Sequence, residues 1–423
     1  MITRLYGLMI LILSTAFCTY SQKPETIYLL RPDRVFDGEQ MHEGWQVLVR
    51  KNKIAEVGRL DTKFENATVI DLKGCTLLPG LIEGHSHLFL HPYNETSWDD
   101  QVLKESNAER TARATVHAKN TLMAGFTTLR DLGTEGAGYD DAGLKTAIEK
   151  GIIPGPRMLI ATKAIVATGS YGPKVLKDGI DVLKGAAEAD GEEGIVREVR
   201  SQIGKGADVI KLYGDYRWGP NREAQPTFSV AEIKKAVEAA NSSGRTVAVH
   251  SSTEEGMHRA AIAGVTTIEH GDAGTPEIFQ LMKELNVAFC PTLAAGDAIT
   301  QYRGWKKGKE KEPANLLAKR QSFGYALKSG VTICMGGDVG VFPHGDNARE
   351  MEMMVDYGMK AIDVLRSATS VNADVFKINT TVGRIKAGLL ADIVVVKGDP
   401  SVDMHAVRNI VLIMKGGAVV LKK

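Results

Sequence analysis

Cysteine is scarce in this chain, with 4 residues in 423. So few thiols exclude a disulfide scaffold of the kind that stabilises small secreted domains. Cys290 and Cys334 lie in apolar runs that read as strands, so buried thiols are expected there, with a bridge between them as the alternative. An excess of charge of one sign is also lacking: Lys+Arg 52 against Asp+Glu 51 leaves no basic field for nucleic acid or an anionic membrane. The expected partner is a small molecule. There is no low-complexity tract and no repeat beyond a β/α alternation. The apolar run LYGLMILILSTAF, preceded by Arg4, is too short to span a bilayer comfortably. Its charge-then-apolar order, followed by Thr19, Tyr20 and Ser21, reads as a signal peptide cleaved after Ser21. Cys18 raises a lipoprotein alternative, which the bulky Phe17 before it fits poorly. Export without a stable membrane anchor is expected, and in a bacterium that means the periplasm or the medium.

What is present is an ordinary globular composition, 43% hydrophobic and 24% charged, enough for a large core. The length suits a barrel of about 250 residues plus a smaller domain. TIYLLRPDRVFDG, WQVLVRKNKIAEVG and ATVIDLKGCTLLPG read as short strands separated by Asp-Gly, Lys-Asn and Lys-Gly turns. After Pro79-Gly80 the pattern becomes strand, helix, strand, helix. Eight strands are expected in LIEGHSHL, FTTLRDLG, RMLIATKAI, ADVIKLYG, TVAVHSS, TTIEHGD, VAFCPTL and VTICMGGD, the number a parallel (β/α)8 barrel needs. The helices between them carry start and stop signals: a capping box at Ser229 and Glu232, and Thr275-Pro276 opening EIFQLMKELN. The chain closes on short strands again. The expected fold is α/β: a TIM-type barrel over 79–380, with 22–78 and 381–423 forming a small composite β-sandwich domain and 1–21 the leader.

The run LLPGLIEGHSHLFLHP places His85 and His87 two apart on one strand, so both side chains share a face. Two neutral imidazoles aimed at one point make half of a zinc-type site. Ten histidines produce such a pair by chance in about one chain in four, so the other strands must decide. They supply Lys211, His250, His270 and Asp338 at the ends of the fourth, fifth, sixth and eighth strands. Active sites of these barrels lie at the carboxyl ends of the strands, so five strands deliver metal-competent side chains to one rim.

With those residues, and with PGLIEGHSHL, IEHGD, MGGDVGVFPHGDNAREMEMMVDYGM, SATSVNADVF and GRIKAGLLADIVVVKGDP, the sequence resembles the amidohydrolase superfamily over nearly the whole mature chain. Within it the chain is most similar to the imidazolonepropionase-like and Xaa-Pro dipeptidase-like branch. The resemblance implies two divalent metal ions, zinc by default with manganese or cobalt fitting too. It also implies carbon dioxide bound as a carbamate on Lys211, bridging both ions. His85 and His87 would hold one metal with Asp338, and His250 and His270 the other. A shared hydroxide would attack the carbonyl while Asp338 takes its proton and returns it to the leaving amine.

Around that centre, Tyr213 lies two residues past Lys211 on the same strand face, where its hydroxyl can donate to a carbonyl oxygen or oxyanion. Arg217 or Arg222, in the long loop GDYRWGPNREAQPTF, can clamp a carboxylate. Tyr171 and His344 are further candidates for the pocket rim. His91, His117 and His258 are expected to be structural or surface residues. The leading expectation is an exported binuclear hydrolase of a dipeptide or N-acyl amino acid, prolidase-like, with a homo-oligomer left open. A cyclic amide or lactone hydrolase on the same centre is the second, and a metal- or solute-binding protein the non-enzymatic alternative.

Overall fold

The computed structural model describes residues 26–423 apart from 61–63 and 175–176. The expected leader, residues 1–21, lies outside them. One eight-stranded sheet draws on both ends of the chain. In order it runs Ala418–Lys422, Ile410–Lys415, Ile393–Lys397, Thr68–Pro79, Ile27–Phe36, Gln46–Arg50 and Lys53–Gly58, with Met41–Glu43 pairing Ile27–Phe36.

The strand Ile393–Lys397 shows how this sheet is fastened to the rest. Its first four residues, Ile-Val-Val-Val, are all buried, as expected of a β-branched run covered on both faces. Ile393 and Val395 pack with Leu412 and Met414 in one apolar cluster. Val394 and Val396 face the other way and join the large core with Ile410 and Ile413. The period of two thus places alternate side chains in two cores. Each fully buried Val or Ile contributes roughly 1.5–3 kcal/mol. One expected turn is absent: Thr68–Pro79 runs straight through Lys73-Gly74. The pairing shifts register between Pro32 and Arg34 instead, and Gly74 takes φ +72° with its N–H donated to Asp33. A glycine bulge, which a left-handed φ favours, replaces the turn.

The middle of the chain forms parallel sheets. Leu81–Ser86, Phe126–Asp131 and Arg157–Ile160 pair in that order. A second sheet runs Ala187–Glu188, Ile165–Val166, Val209–Tyr213, Thr246–Ser251, Thr267–His270 and Ala288–Cys290. Backbone hydrogen bonds join their margins: Asp208 N–H to the Ile160 carbonyl at 2.8 Å, Cys334 N–H to Phe289 at 2.8 Å, and Gly84 N–H to Met335 at 3.1 Å.

Two strands differ from expectation. The third breaks after Ile160, because Thr162 adopts φ +63° and the Asp208 carboxylate takes the Ile160 N–H. The eighth, Val331–Asp338, makes only the isolated bridges Phe289↔Ile333 and Ser86↔Val339. Gly336 explains the second case, since a Cβ there would lie 2.7 Å from His85 N and 2.6 Å from Cys290 Sγ. The segment passes too close to its neighbours for a side chain at that point. Cys290 and Cys334 are buried and unbridged.

The helices begin where their signals place them. Val230–Asn241 starts after Ser229 with both capping-box bonds formed, and Pro276–Glu284 starts after Thr275 with proline in its first turn. Among the described residues no helix is long and apolar enough to cross a membrane.

Candidate metal centre and active site

The four expected histidines, Lys211 and Asp338 lie at the carboxyl ends of the parallel strands. His85 sits between two partners, its ring 5.3 Å from that of His87 and 5.1 Å from that of His270; the His250 and His270 rings are 4.3 Å apart. Asp338 Oδ1 lies 3.6 Å from His85 Nε2 and 3.4 Å from His87 Nε2. One ligand atom each of His85, His270 and Asp338 falls within 4.8 Å of the others. His270 reaches this cluster through an unusual backbone. Strict alternation would point it away from the face that Glu269 uses, but φ +76° breaks the alternation and lets both side chains approach His85. Asp338 likewise turns in at φ +61°.

Three of the four imidazoles are oriented from behind. His85 Nδ1 meets Glu269 at 2.8 Å, His87 Nδ1 the Gly133 carbonyl at 2.9 Å, and His270 Nδ1 the Thr292 hydroxyl at 2.7 Å. These contacts leave Nε2 directed at the centre, the arrangement typical of metal-binding histidines. Burial holds His85, His250 and His270 well below the usual imidazole range, reinforced at His85 and His250 by the Lys211 ammonium and at His270 by His250. Neutral rings keep the lone pairs a cation needs. Burial also raises the Asp338 carboxyl, against the lowering influence of His87 and Lys211.

Lys211 carries the most informative defect. Its side chain is buried and its Nζ has no hydrogen-bond partner. An ammonium has three donors, and leaving all of them unmet in the interior is costly. Burial lowers its pKa, which favours the neutral, nucleophilic amine. The donor set of neutral imidazoles, a carboxylate and an unsatisfied amine therefore fits divalent metal ions.

Several residues around the centre carry no role in the sequence reading. Arg130, fully buried, donates to Glu269 at 2.7 Å, to Thr267 at 3.0 Å and to the Gly84 carbonyl at 2.7 Å, and stacks 4.1 Å over Phe376. Arg130, Glu269 and His85 thus form one buried chain. Glu83 accepts from the N–H groups of His85 and Gly337 and from Asn347, fixing the turn that carries Asp338; burial pushes its carboxyl up to about 7. Glu135, at φ +49°, accepts from Tyr171 at 2.5 Å, Trp98 at 3.0 Å and Tyr213 at 3.4 Å. Periodicity marked Arg130 and Glu269 as strand residues, and their charge in a buried strand was the available signal. Glu135 lies in a loop, where no pattern pointed to it.

Of the expected substrate residues, Tyr213 stacks on His250 at 4.7 Å and Tyr171 touches Tyr213, with 3.3 Å between hydroxyls. Arg217 lines a cavity of about 420 Å³ with His250, His270 and Asp338. Arg222 is exposed and does not line it. His344 lies elsewhere: it stacks on His117 at 4.4 Å, faces the His87 carbonyl at 3.2 Å, and lines a different pocket with Asn120 and Arg408. Its place after the last strand suggested the rim, but the ring folds back behind His87. His117 is half-buried and donates from Nδ1 to the Leu88 carbonyl, His258 is exposed, and His91 is buried between Glu95 and Glu105.

Residues 76–420 match the amidohydrolase family. The chain is 29% identical over 415 residues to an ochratoxinase of Aspergillus niger, spanning 90% of this chain and 83% of the relative. A crystal structure of a Xaa-Pro dipeptidase with methionine bound in its active site superimposes with TM-score 0.81 at 30% identity, covering 93% of this chain and 99% of that one. A prolidase complexed with N-methylphosphonate-L-proline matches with TM-score 0.80 at 27% identity, covering 94% of this chain and all (100%) of that one.

Proposed function

The chain belongs to the amidohydrolase family, whose hydrolase relatives act on amide bonds, and from that premise we propose that it cleaves the amide of a dipeptide or N-acyl amino acid, in the manner of a prolidase-like dipeptidase or carboxypeptidase. We read the supporting fold as a (β/α)8 barrel with a composite β domain, a reading supported by the parallel strand sheets and by the sheet that both ends of the chain share. The observation that carries the reading is the buried, unpartnered Lys211 Nζ among His85, His87, His250, His270 and Asp338. Carbon dioxide captured there would turn the stranded neutral amine into an anionic carbamate, with the displaced proton passing to solvent, and would give the buried atom partners. His85, His87 and Asp338 would hold one divalent ion and His250 and His270 a second, with carboxylated Lys211 as a further ligand. When bound, such ions supply Lewis acidity and ionise water near neutral pH, with zinc the default for this imidazole-rich set.

The chain's own residues do the rest. Asp338 takes a proton from the attacking water and returns it to the leaving nitrogen, a role its position against His85 and His87 allows. The Tyr213 hydroxyl, whose single proton rests on Glu135 at 3.4 Å, would swing it to the carbonyl oxygen as charge develops there. The cavity beside His250 and His270 receives the remainder of the substrate. Arg4 ahead of the apolar run supports export, so the enzyme would work outside the cytoplasm.

The test is a panel of dipeptides and N-acyl amino acids, assayed after reconstitution with zinc and bicarbonate, with metal content measured in parallel. Release of an amino acid is expected, lost in Asp338→Asn while both metals stay bound. Two metals per chain without release of any amino acid from the panel would overturn the assignment.

A further inference from the structure

The cavity beside the centre has a cationic side, of which the sequence reading anticipated only Arg217. Lys319, in the helix Ala314–Ser329, lines it, and so does Arg217 from the loop after Lys211. Lys319 is an unusual lysine: its side chain is only 8% exposed, yet its one acidic contact, Asp272 at 2.5 Å, is with a carboxylate that is 50% exposed. A half-solvated aspartate offsets little of the cost of burying an ammonium. The pair is also not needed to dock the loop after His270 onto this helix, because Ser322, one turn further on, already donates to the Gly271 carbonyl at 2.6 Å. Arg217 has no carboxylate within ion-pair range among the described residues.

The other acids at the cavity are committed elsewhere. Asp215 accepts from the N–H groups of Ser252 and Thr253 and from the Thr253 hydroxyl, and Asp338 faces His85 and His87. Two cations therefore face one space with only a half-exposed counter-ion between them and solvent.

We propose that Lys319 and Arg217 bind the free carboxylate of the substrate, and that Asp272 holds that place on Lys319 until substrate displaces it. The inference rests on the amide-hydrolase reading and names the groups that would select the free carboxylate which a dipeptide or N-acyl amino acid carries. An exposed Asp272 can turn to water at small cost, leaving Lys319 to a carboxylate that arrives already positioned for attack. The arrangement gives selectivity: a substrate lacking the anion would have to break the Lys319–Asp272 pair with nothing to replace it, or bind beside it.

Two matched ligands test this, N-acetyl-L-phenylalanine and its C-terminal carboxamide, followed by calorimetric binding to the zinc- and bicarbonate-loaded enzyme and by turnover where it occurs. In Lys319→Met the free acid should bind about 10–100-fold more weakly, the loss expected for one charged hydrogen bond, with the carboxamide unchanged. Lys319→Arg should keep most of the preference, which separates lost charge from lost packing. Asp272→Asn should tighten the free acid and leave the carboxamide alone. Equal loss for both ligands in Lys319→Met, or tighter binding of neither in Asp272→Asn, overturns the proposal. Because binding is read directly, the outcome stands even if neither compound is hydrolysed, a result that would count against the amide reading instead.

Discussion

Replacing Arg130 by methionine should expose how much the centre depends on one buried charge. The side chain would keep most of its apolar stem against Phe376 but lose three donors, to Glu269, Thr267 and the Gly84 carbonyl. Glu269 is fully buried and would retain only the Thr267 hydroxyl and His85 as partners. Breaking one side of a buried ion pair costs about 3–5 kcal/mol, and the freed Gly84 carbonyl adds about 1 kcal/mol. The sum, about 4–6 kcal/mol, is a large part of the roughly 5–15 kcal/mol that holds a typical domain. Glu269→Gln on top of Arg130→Met removes the stranded charge while Gln keeps an acceptor for His85. The double variant should therefore recover about 2–3 kcal/mol relative to the sum of the two single losses. Urea unfolding of the metal-free protein, with midpoint and slope followed for the wild type, both single variants and the double, measures each quantity. A loss below about 1 kcal/mol for Arg130→Met, or strict additivity in the double variant, would refute the chain of Arg130, Glu269 and His85 as a coupled unit.

Two further outcomes follow, one at the centre and one at the buried carboxyl of Asp141, which accepts from the Thr162 and Ala142 N–H groups. Glu135→Gln and Tyr213→Phe should each lower kcat, Tyr213→Phe by about 100-fold with little change in KM, and together cost no more than Tyr213→Phe alone, because Glu135 acts through that hydroxyl; fully additive losses would show the two to be independent. Burial raises the Asp141 carboxyl to about 7, so folding favours its protonated form. Its stabilising contribution is complete below the unfolded value near 4 and is lost as pH climbs towards 7. Between pH 5 and 8 the wild type should therefore lose about 2–3 kcal/mol relative to Asp141→Asn, and a stability difference that does not change with pH would contradict the assignment.

The sequence made the ligands legible because each sits where a strand pattern ends, and strand ends can be located from alternation and glycine. The same logic placed the capped helices at Ser229 and Thr275. It failed where backbone geometry departs from the regular strand. Thr162 at φ +63° interrupts the third strand, and Gly336 brings the eighth too close to His85 for a continuous ladder. Neither event leaves a mark in hydrophobic periodicity. Distance in the chain hid the rest: Arg130 meets Glu269 across 139 residues, and Lys319 meets Asp272 across 47. A charged residue in an apolar strand says only that some partner exists. His344 was misleading for the opposite reason, since a position after the last strand permits a side chain to fold outward as easily as inward.

The strand Thr68–Pro79 lies between Ile27–Phe36 on one side and Ile393–Lys397 on the other. Its second neighbour is made more than three hundred residues later during synthesis. Until then Leu77 and Leu78, both buried in the finished sheet, border an open edge whose backbone donors and acceptors have nothing to pair with. Open apolar edges invite pairing with other chains. Closure of a loop this long also makes the final step slow. A strand made late thus seals one made early, and the interval between them is when the nascent protein most needs shielding from its own copies.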